Sequence, residues 1–257
     1  MEPIIREAAV APSTNFHLSL RYTLCPMAHS QQAEFVEIVK RYLPTYFSSG
    51  RVIEMGSLDI NGSVRGHFNA AEYVGVDLGP GPGVDLVCSG HEVDLPAGSF
   101  DCAISLECFE HNPFWTETFL NMLRLTRGDG LVLMTCATTG RREHGTPRSA
   151  PESSPFTVAR GWSYYRNLTE RNFVERVDFA TWFSDWRFIV AHEAYDLYFV
   201  GLRPGPQRLK LPAAIDADLR RRFSPLRSTR ALKRYLKVAL FGNFLSSPLS
   251  YYLRGRR

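Results

Sequence analysis

The chain has 257 residues, 44% hydrophobic and 22% charged, which excludes a disordered or low-complexity protein and fits one globular domain with appendages. The net charge of +4 conceals an asymmetry: from Gln207 onward there are 13 Lys/Arg against 2 Asp/Glu, so this tail carries +11 and the remainder −7. No apolar run approaches the roughly 18 residues of a spanning helix, and Met1 to Leu20 holds acids without the apolar stretch of a secretory signal.

Residues 1–26 read as irregular. Ala28 to Tyr42 reads as an amphipathic helix, with Phe35, Val36, Val39 and Leu43 near helical spacing and Pro44 ending it. Short apolar runs follow at Val52–Met55, Tyr73–Asp77, Val84–Cys88, Phe100–Ser105 and Leu131–Cys136, each predicted as a strand. The polar loop after Met55 is expected to feed a helix. Asn112-Pro113 is expected to open another, as N-cap and first helical residue, with Trp115, Phe119, Met122 and Leu123 on its apolar face. Arg127-Gly-Asp-Gly130 reads as the turn into the fifth strand. Residues 138–180 form an aromatic-rich insertion, and Arg187–Glu193 with Asp196–Leu202 read as a terminal hairpin. Strands alternating with helices predict an α/β, Rossmann-like, seven-stranded and mostly parallel sheet with helices on both faces. The expected organisation is an N-terminal helical cap at 1–48, the sheet domain at 49–204 and a basic helical C-terminal tail at 205–257. The five cysteines (Cys25, Cys88, Cys102, Cys108, Cys136) show no CxxC pair and no zinc spacing, so reduced thiols and a cytoplasmic location are expected.

The most informative stretch is Glu54-Met-Gly56 at the end of the first strand, answered 23 residues later by Asp77 at the end of the second. A glycine at a strand tip lets backbone approach a ligand, and an acid at the next tip can accept from ribose hydroxyls. The loop between them carries Leu58 and Ile60 where a pyrophosphate-binding loop wants glycine, and Gly62 comes only afterwards. Ser57, Asp59 and Asn61 offer polar groups instead. A dinucleotide is therefore disfavoured.

These residues resemble the class I S-adenosylmethionine-dependent methyltransferases over roughly residues 50–203. Glu54-Met-Gly56 is similar to the family's first motif, and Asp77 to its ribose-binding acid. Ser89-Gly-His-Glu-Val-Asp-Leu-Pro96 stands where the family contacts adenine. Ser99-Phe-Asp101 with Ser105-Leu-Glu-Cys-Phe-Glu-His111 resembles its fourth-strand signature, and Leu123-x-Leu125 through Gly130-Leu-Val-Leu-Met134 its closing helix, turn and strand. The resemblance implies S-adenosylmethionine as cofactor, with S-adenosylhomocysteine as product. It implies cofactor contacts at Glu54, Gly56, Ser57, Asp59, Asn61, Asp77, Leu78, Ser89, Gly90, His91 and Glu107. Asn112-Pro-Phe-Trp115 is similar to the Asn-Pro-Pro-Tyr motif of amide and base methylators, but it follows the strand tip rather than forming it, and helix capping accounts for it.

Methyl transfer is an in-line displacement that a hydroxyl acceptor enters more readily with a base, and histidine titrates nearest neutral pH. His111, after the fourth strand, and His144, after the fifth, are therefore the expected base or acceptor-positioning residues. Tyr164, Tyr165 and Asn167 are expected to line the acceptor pocket. No metal is expected, because Ser105-Leu-Glu-Cys and Thr135-Cys-Ala-Thr are not acid-rich clusters. The implied function is methylation, at oxygen, of a small molecule or glycan. The alternatives are a methyltransferase for nucleic acid or protein, or a non-catalytic scaffold.

Ser228 to Phe241 reads as a basic amphipathic helix. Leu232, Tyr235, Leu236, Ala239 and Leu240 make one face, and Arg230, Lys233, Arg234 and Lys237 the other. Phe241, Phe244, Leu245, Tyr251, Tyr252 and Arg254-Gly-Arg-Arg257 follow. Basic and aromatic character together suit the inner leaflet of a membrane. Packing on the acidic body, a homodimer contact and, less favoured, nucleic acid are the other partners open to this tail.

Overall fold

The computed structural model describes residues 28–241. Residues 1–26, Cys25, Phe244 and the residues beyond it lie outside the described residues, as do the side chains of Arg230, Tyr235, Ala239, Leu240 and Phe241.

Seven strands form one sheet: β1 (Arg51–Met55), β2 (Glu72–Asp77), β3 (Leu86–Val87), β4 (Phe100–Leu106), β5 (Thr126–Ala137), β6 (Asp185–Ala191) and β7 (Asp196–Leu202). The order is β3-β2-β1-β4-β5-β7-β6, with β7 antiparallel to both neighbours and the other pairings parallel. This is the seven-stranded, mostly parallel α/β sheet that the strand pattern predicts. The helices are α1 (Ala28–Tyr42), α2 (Trp115–Leu125), α3 (Pro155–Ala159), α4 (Glu170–Val174), α5 (Phe179–Trp182), α6 (Ala213–Phe223) and α7 (Thr229–Phe241). Among the described residues no helix is long and apolar enough to cross a membrane.

Strand alternation divides the core between the two faces. Val52, Cys102, Ile104, Leu131 and Leu133 point to one face, where Phe35, Val36 and Val39 of α1 cover them together with Ile215, Leu219 and Phe223 of α6. Ile53, Met55, Ala103, Val132 and Met134 point to the other, under Phe119 and Met122 of α2 and an aromatic group of Phe173, Phe179, Phe183, Phe188 and Phe199. Because β1, β4 and β5 are covered on both faces, they read in sequence as continuous apolar runs.

Several boundaries differ from expectation. No α-helix follows the first loop: Arg65–His67 forms only a single 3-10 turn before β2. The loop spends its length elsewhere, because Asp59 N–H donates to the Pro82 carbonyl (2.9 Å) and Gly56 and Ser57 N–H donate to that of Val76. Few residues then remain before β2, and α1 supplies cover on that face. Helix α2 begins at Trp115, two residues beyond the expected position. Asn112 is not its N-cap but makes a local turn, its Oδ1 accepting from Phe114 N–H (2.8 Å) and its Nδ2 donating to Thr118 Oγ1 (2.8 Å). Arg127–Gly130 belongs to β5, with a register shift against β4 between Phe100 and Cys102. The third strand shrinks to two residues, and β6 stops at Ala191.

The tail expected from 205 onward begins as core. Ile215 and Leu219 of α6 are fully buried and Phe223 nearly so, although Arg220, Arg221 and Arg222 give the segment its basic look. Ile215→Val is expected to cost about 0.5–1.5 kcal/mol in urea unfolding. Leu232→Ala on α7 is expected to change stability by less than about 0.5 kcal/mol, because Leu232 is 43% exposed. Equal losses at the two positions would contradict this division of the tail.

Candidate functional site

The strand order reverses between β1 and β4, and the carboxyl ends of the strands around this point open onto a cleft of about 610 Å³. Such switch points are where open α/β sheets bind ligands. One end of the cleft is built from the β1 and β2 tips. Gly56 holds φ +79°, and a Cβ there would lie 2.6 Å from Cys108 Cβ, so only glycine fits both the backbone and the space. Asp77 lines the cleft, and each of its oxygens accepts one backbone N–H: Oδ2 from Leu58 (3.1 Å) and Oδ1 from Leu78 (2.7 Å). A carboxylate accepts about four hydrogen bonds, so lone pairs remain for a ligand. Burial raises the Asp77 pKa, and the two backbone donors work against the rise.

Glu54, nearly buried, accepts from the Tyr73 hydroxyl (2.8 Å). Burial pushes its pKa up to about 7, with the Tyr73 hydrogen bond pulling the other way. Ser57 is 4% exposed, lines the cleft and has a hydroxyl with no partner among the described residues. Asn61, Leu78, Ser89, Gly90 and Glu107 also line the cleft, together with Gln32 of α1 and Phe156 and Trp162 of the insertion. Phe156 lies so close over Gly79 that a Cβ there would meet its ring at 2.4 Å. The insertion thus roofs the chain just past Asp77.

Two expected cofactor contacts do not line the cleft. Asp59 turns back on its own loop, its Oδ1 accepting from Gly62 N–H (2.7 Å). His91 pairs through Nδ1 with Ser89 Oγ (2.8 Å) and stacks on Phe114, 4.4 Å between centroids. Both are bonded within short segments that also make the turn, so their polarity serves the loop.

The other end of the cleft lies past the β4 and β5 tips, where His111 and His144 both line the wall. Their rings are 4.8 Å apart at 85°, and the Tyr165 ring lies 5.4 Å from the first and 5.0 Å from the second. Tyr165 does not line the cleft but backs the two imidazoles, its buried hydroxyl without a partner among the described residues. Tyr164 packs at the edge of the aromatic core, and Asn167 donates to the Arg141 carbonyl (3.0 Å). Neither reaches the cleft, so Tyr164, Tyr165 and Asn167 support the wall rather than form it. Burial first, then His144 and Arg141, lower the His111 pKa to about 3, and burial lowers that of His144. Both imidazoles are therefore neutral at pH 7. A free general base works best with a pKa near the operating pH, so His111 is better suited to hold an acceptor than to take its proton unaided.

Arg141 and Asp196, which carry no motif signal, meet Glu110 of the segment after β4 here. Arg141 lines the cleft, donates from Nη1 to Asp196 Oδ1 (3.1 Å) and Ala194 O (2.6 Å), and lies 3.9 Å from Glu107 Oε2. Burial alone would lower its pKa, but Asp196 and Glu107 raise it above the ordinary arginine value. Asp196 and Glu110 are fully buried, and burial raises the pKa of both. Glu107 accepts from Thr135 Oγ1 (3.0 Å) and holds φ +51°, a left-handed backbone that non-glycine residues rarely adopt. Asp196 is brought in by the register Ala137↔Asp196 between β5 and β7, a pairing that no local pattern reveals.

No family model matches the chain, and no curated protein does. Among solved structures it is similar to phosphoethanolamine N-methyltransferase 2 of Haemonchus contortus in complex with S-adenosyl-L-methionine, at 16% identity and a TM-score of 0.47. That alignment covers 67% of this chain and 52% of the other, so the chain spans about half the length of that protein. It is also similar to 1,6-didemethyltoxoflavin-N1-methyltransferase of Burkholderia thailandensis with bound S-adenosylhomocysteine, at 16% identity and a TM-score of 0.45, covering 69% of this chain and 84% of the other. The fold is the seven-stranded α/β fold of class I methyltransferases, as its own strand order and single antiparallel strand establish.

Proposed function

We propose that the chain binds S-adenosylmethionine in this cleft and transfers its methyl group to an oxygen of a small molecule or glycan. The observation that carries the reading is the pair formed by Gly56 and Asp77 at adjacent strand tips, facing one cleft at the switch point. S-adenosylmethionine, when bound, supplies a methyl group on a cationic sulfur that is already activated for displacement. The protein's own work is alignment, which can lower a barrier by about 7–11 kcal/mol. Asp77 accepts from ribose hydroxyls with the lone pairs its backbone donors leave free. Glu54 and the unpartnered Ser57 hydroxyl suit the ammonium and carboxylate of the amino-acid end. Leu58, which lines the cleft in place of a glycine, fits a ligand without phosphate. His111 and His144, as neutral imidazoles on the same wall, accept a hydrogen bond from an acceptor hydroxyl and orient it.

Thermal shift is the direct test: S-adenosylmethionine and S-adenosylhomocysteine should each raise the melting temperature saturably, and NAD⁺ should not. The Glu54 pKa of about 7 adds a pH signature. The ammonium favours ionised Glu54, whereas the empty protein protonates it below pH 7. Affinity for S-adenosylmethionine should therefore fall as pH is lowered from 7.5 to 5.5, by up to about tenfold per unit below 7. Glu54→Gln should bind more weakly and flatten that profile. No shift with either ligand, or a larger one with NAD⁺, would refute the reading.

A further inference from the structure

We propose that Glu110, His111 and His144 form a binding site for one divalent first-row transition cation of the Zn²⁺ type, at the histidine end of the cleft. One ligand atom from each residue lies within 4.8 Å of the other two. Metal–ligand bonds of about 2.0–2.2 Å place a tetrahedral ion's ligands about 3.4 Å apart, so closing the site takes movements of about 1 Å. Two imidazoles with one carboxylate select a transition ion over Mg²⁺ or Ca²⁺, which prefer oxygen.

The polar groups here lack the partners that buried groups normally have. Glu110 is fully buried, and neither of its carboxylate oxygens has a hydrogen-bond partner among the described residues. His111 is 4% exposed, and neither its Nδ1 nor the adjoining Tyr165 hydroxyl has a hydrogen-bond partner among the described residues. His144 is already oriented. Its Nδ1 faces the Arg142 carbonyl at 3.0 Å, and a carbonyl only accepts, so Nδ1 carries the hydrogen and Nε2 keeps its lone pair. Gly145 makes room for the His111 ring, since a Cβ there would lie 2.6 Å from His111 Cε1.

The neighbouring cation is already engaged: Arg141 lies 3.1 Å from Asp196 Oδ1 and 3.9 Å from Glu107 Oε2, and no salt bridge reaches Glu110 among the described residues. The sequence expectation of no metal rested on the segments Ser105–Cys108 and Thr135–Thr138, and Glu110 and His144 lie just beyond them. Resting on the methyl-transfer reading, the ion would take the imidazole lone pairs, so its remaining coordination positions, in place of the histidines themselves, would hold an acceptor oxygen and polarise its hydroxyl.

The test uses the full-length chain without a histidine tag, stripped with EDTA and dialysed against Co²⁺ or Zn²⁺. Bound metal is counted by mass spectrometry, and the visible absorption of the Co²⁺ form is recorded. About one equivalent of each ion should be retained, with Co²⁺ bands of an imidazole–carboxylate site that tenfold Mg²⁺ does not remove. Glu110→Gln keeps the side-chain volume and His144→Ala lies on a loop; each should weaken binding at least about tenfold and remove the bands. Circular dichroism melts establish that both variants are folded. Asp77→Ala should keep the metal while losing S-adenosylmethionine, which separates failure of the cation site from failure of the cofactor reading. No retained ion in the parent chain, equal retention in both variants, or displacement by Mg²⁺ would overturn the proposal.

Discussion

Asp77→Ala is expected to lower S-adenosylmethionine affinity by about 100-fold or more while leaving the sheet intact. Hydrogen bonds to a charged group contribute about 1.5–3 kcal/mol each, and a ribose offers two hydroxyls, so both losses together reach that range. The same carboxylate also holds the Leu58 and Leu78 N–H groups, so the alanine variant loosens the first loop as well as losing the ligand contacts. Asp77→Asn separates the two roles. Its single side-chain carbonyl accepts at most two hydrogen bonds, so it can keep some but not all of the two backbone donors and two ribose hydroxyls, and an intermediate loss of about tenfold is expected. Calorimetric titration with S-adenosylhomocysteine measures both variants. Affinity within threefold of the parent in Asp77→Ala would remove Asp77 from the cofactor site.

What the sequence discloses depends on how local its causes are. Strands covered on both faces announce themselves as apolar runs, and α1 does so through its apolar spacing before Pro44. The Glu54, Gly56 and Asp77 positions are legible for the same reason, since each lies at the end of such a run and its role follows from being a strand tip. The loop between β1 and β2 is not legible in the same way, because hydrogen bonds to Val76 and Pro82 decide its shape and those partners lie some 20 residues away. Helix α6 hides in the sequence because its apolar stripe is a single row, Ile215, Leu219 and Phe223, between charged residues. Arg141 and Asp196 carry no signal at all, and Glu110 shows only as part of the segment after the fourth strand. A charged residue looks solvated until the topology shows what lies over it, and Asp196 meets Arg141 only because β7 runs antiparallel beside β5.

Arg141 is where that hidden chemistry has its largest effect on stability. Its side chain is 21% exposed, and its partner Asp196 is wholly buried. Removing one member of a buried pair strands the other, at a cost of about 3–5 kcal/mol, so Arg141→Met should be destabilised by that amount. For a chain of this size the corresponding fall in melting temperature is about 6–20 °C. The loss should depend on pH in a definite direction. Burial already raises the Asp196 pKa, and deleting the guanidinium raises it further. A carboxyl with a raised folded pKa contributes no penalty below its unfolded value of about 3.9 and an increasing one as pH rises toward the folded value. The deficit of Arg141→Met should therefore be no larger at pH 5 than at pH 8, and should grow as pH passes from the parent's folded Asp196 pKa toward the variant's higher one. Adding Asp196→Asn removes the stranded charge, and the double variant should recover much of the lost stability at pH 8 while showing little of this pH dependence. If the double variant is as unstable as Arg141→Met alone, the cost lies in packing around the guanidinium rather than in the buried charge.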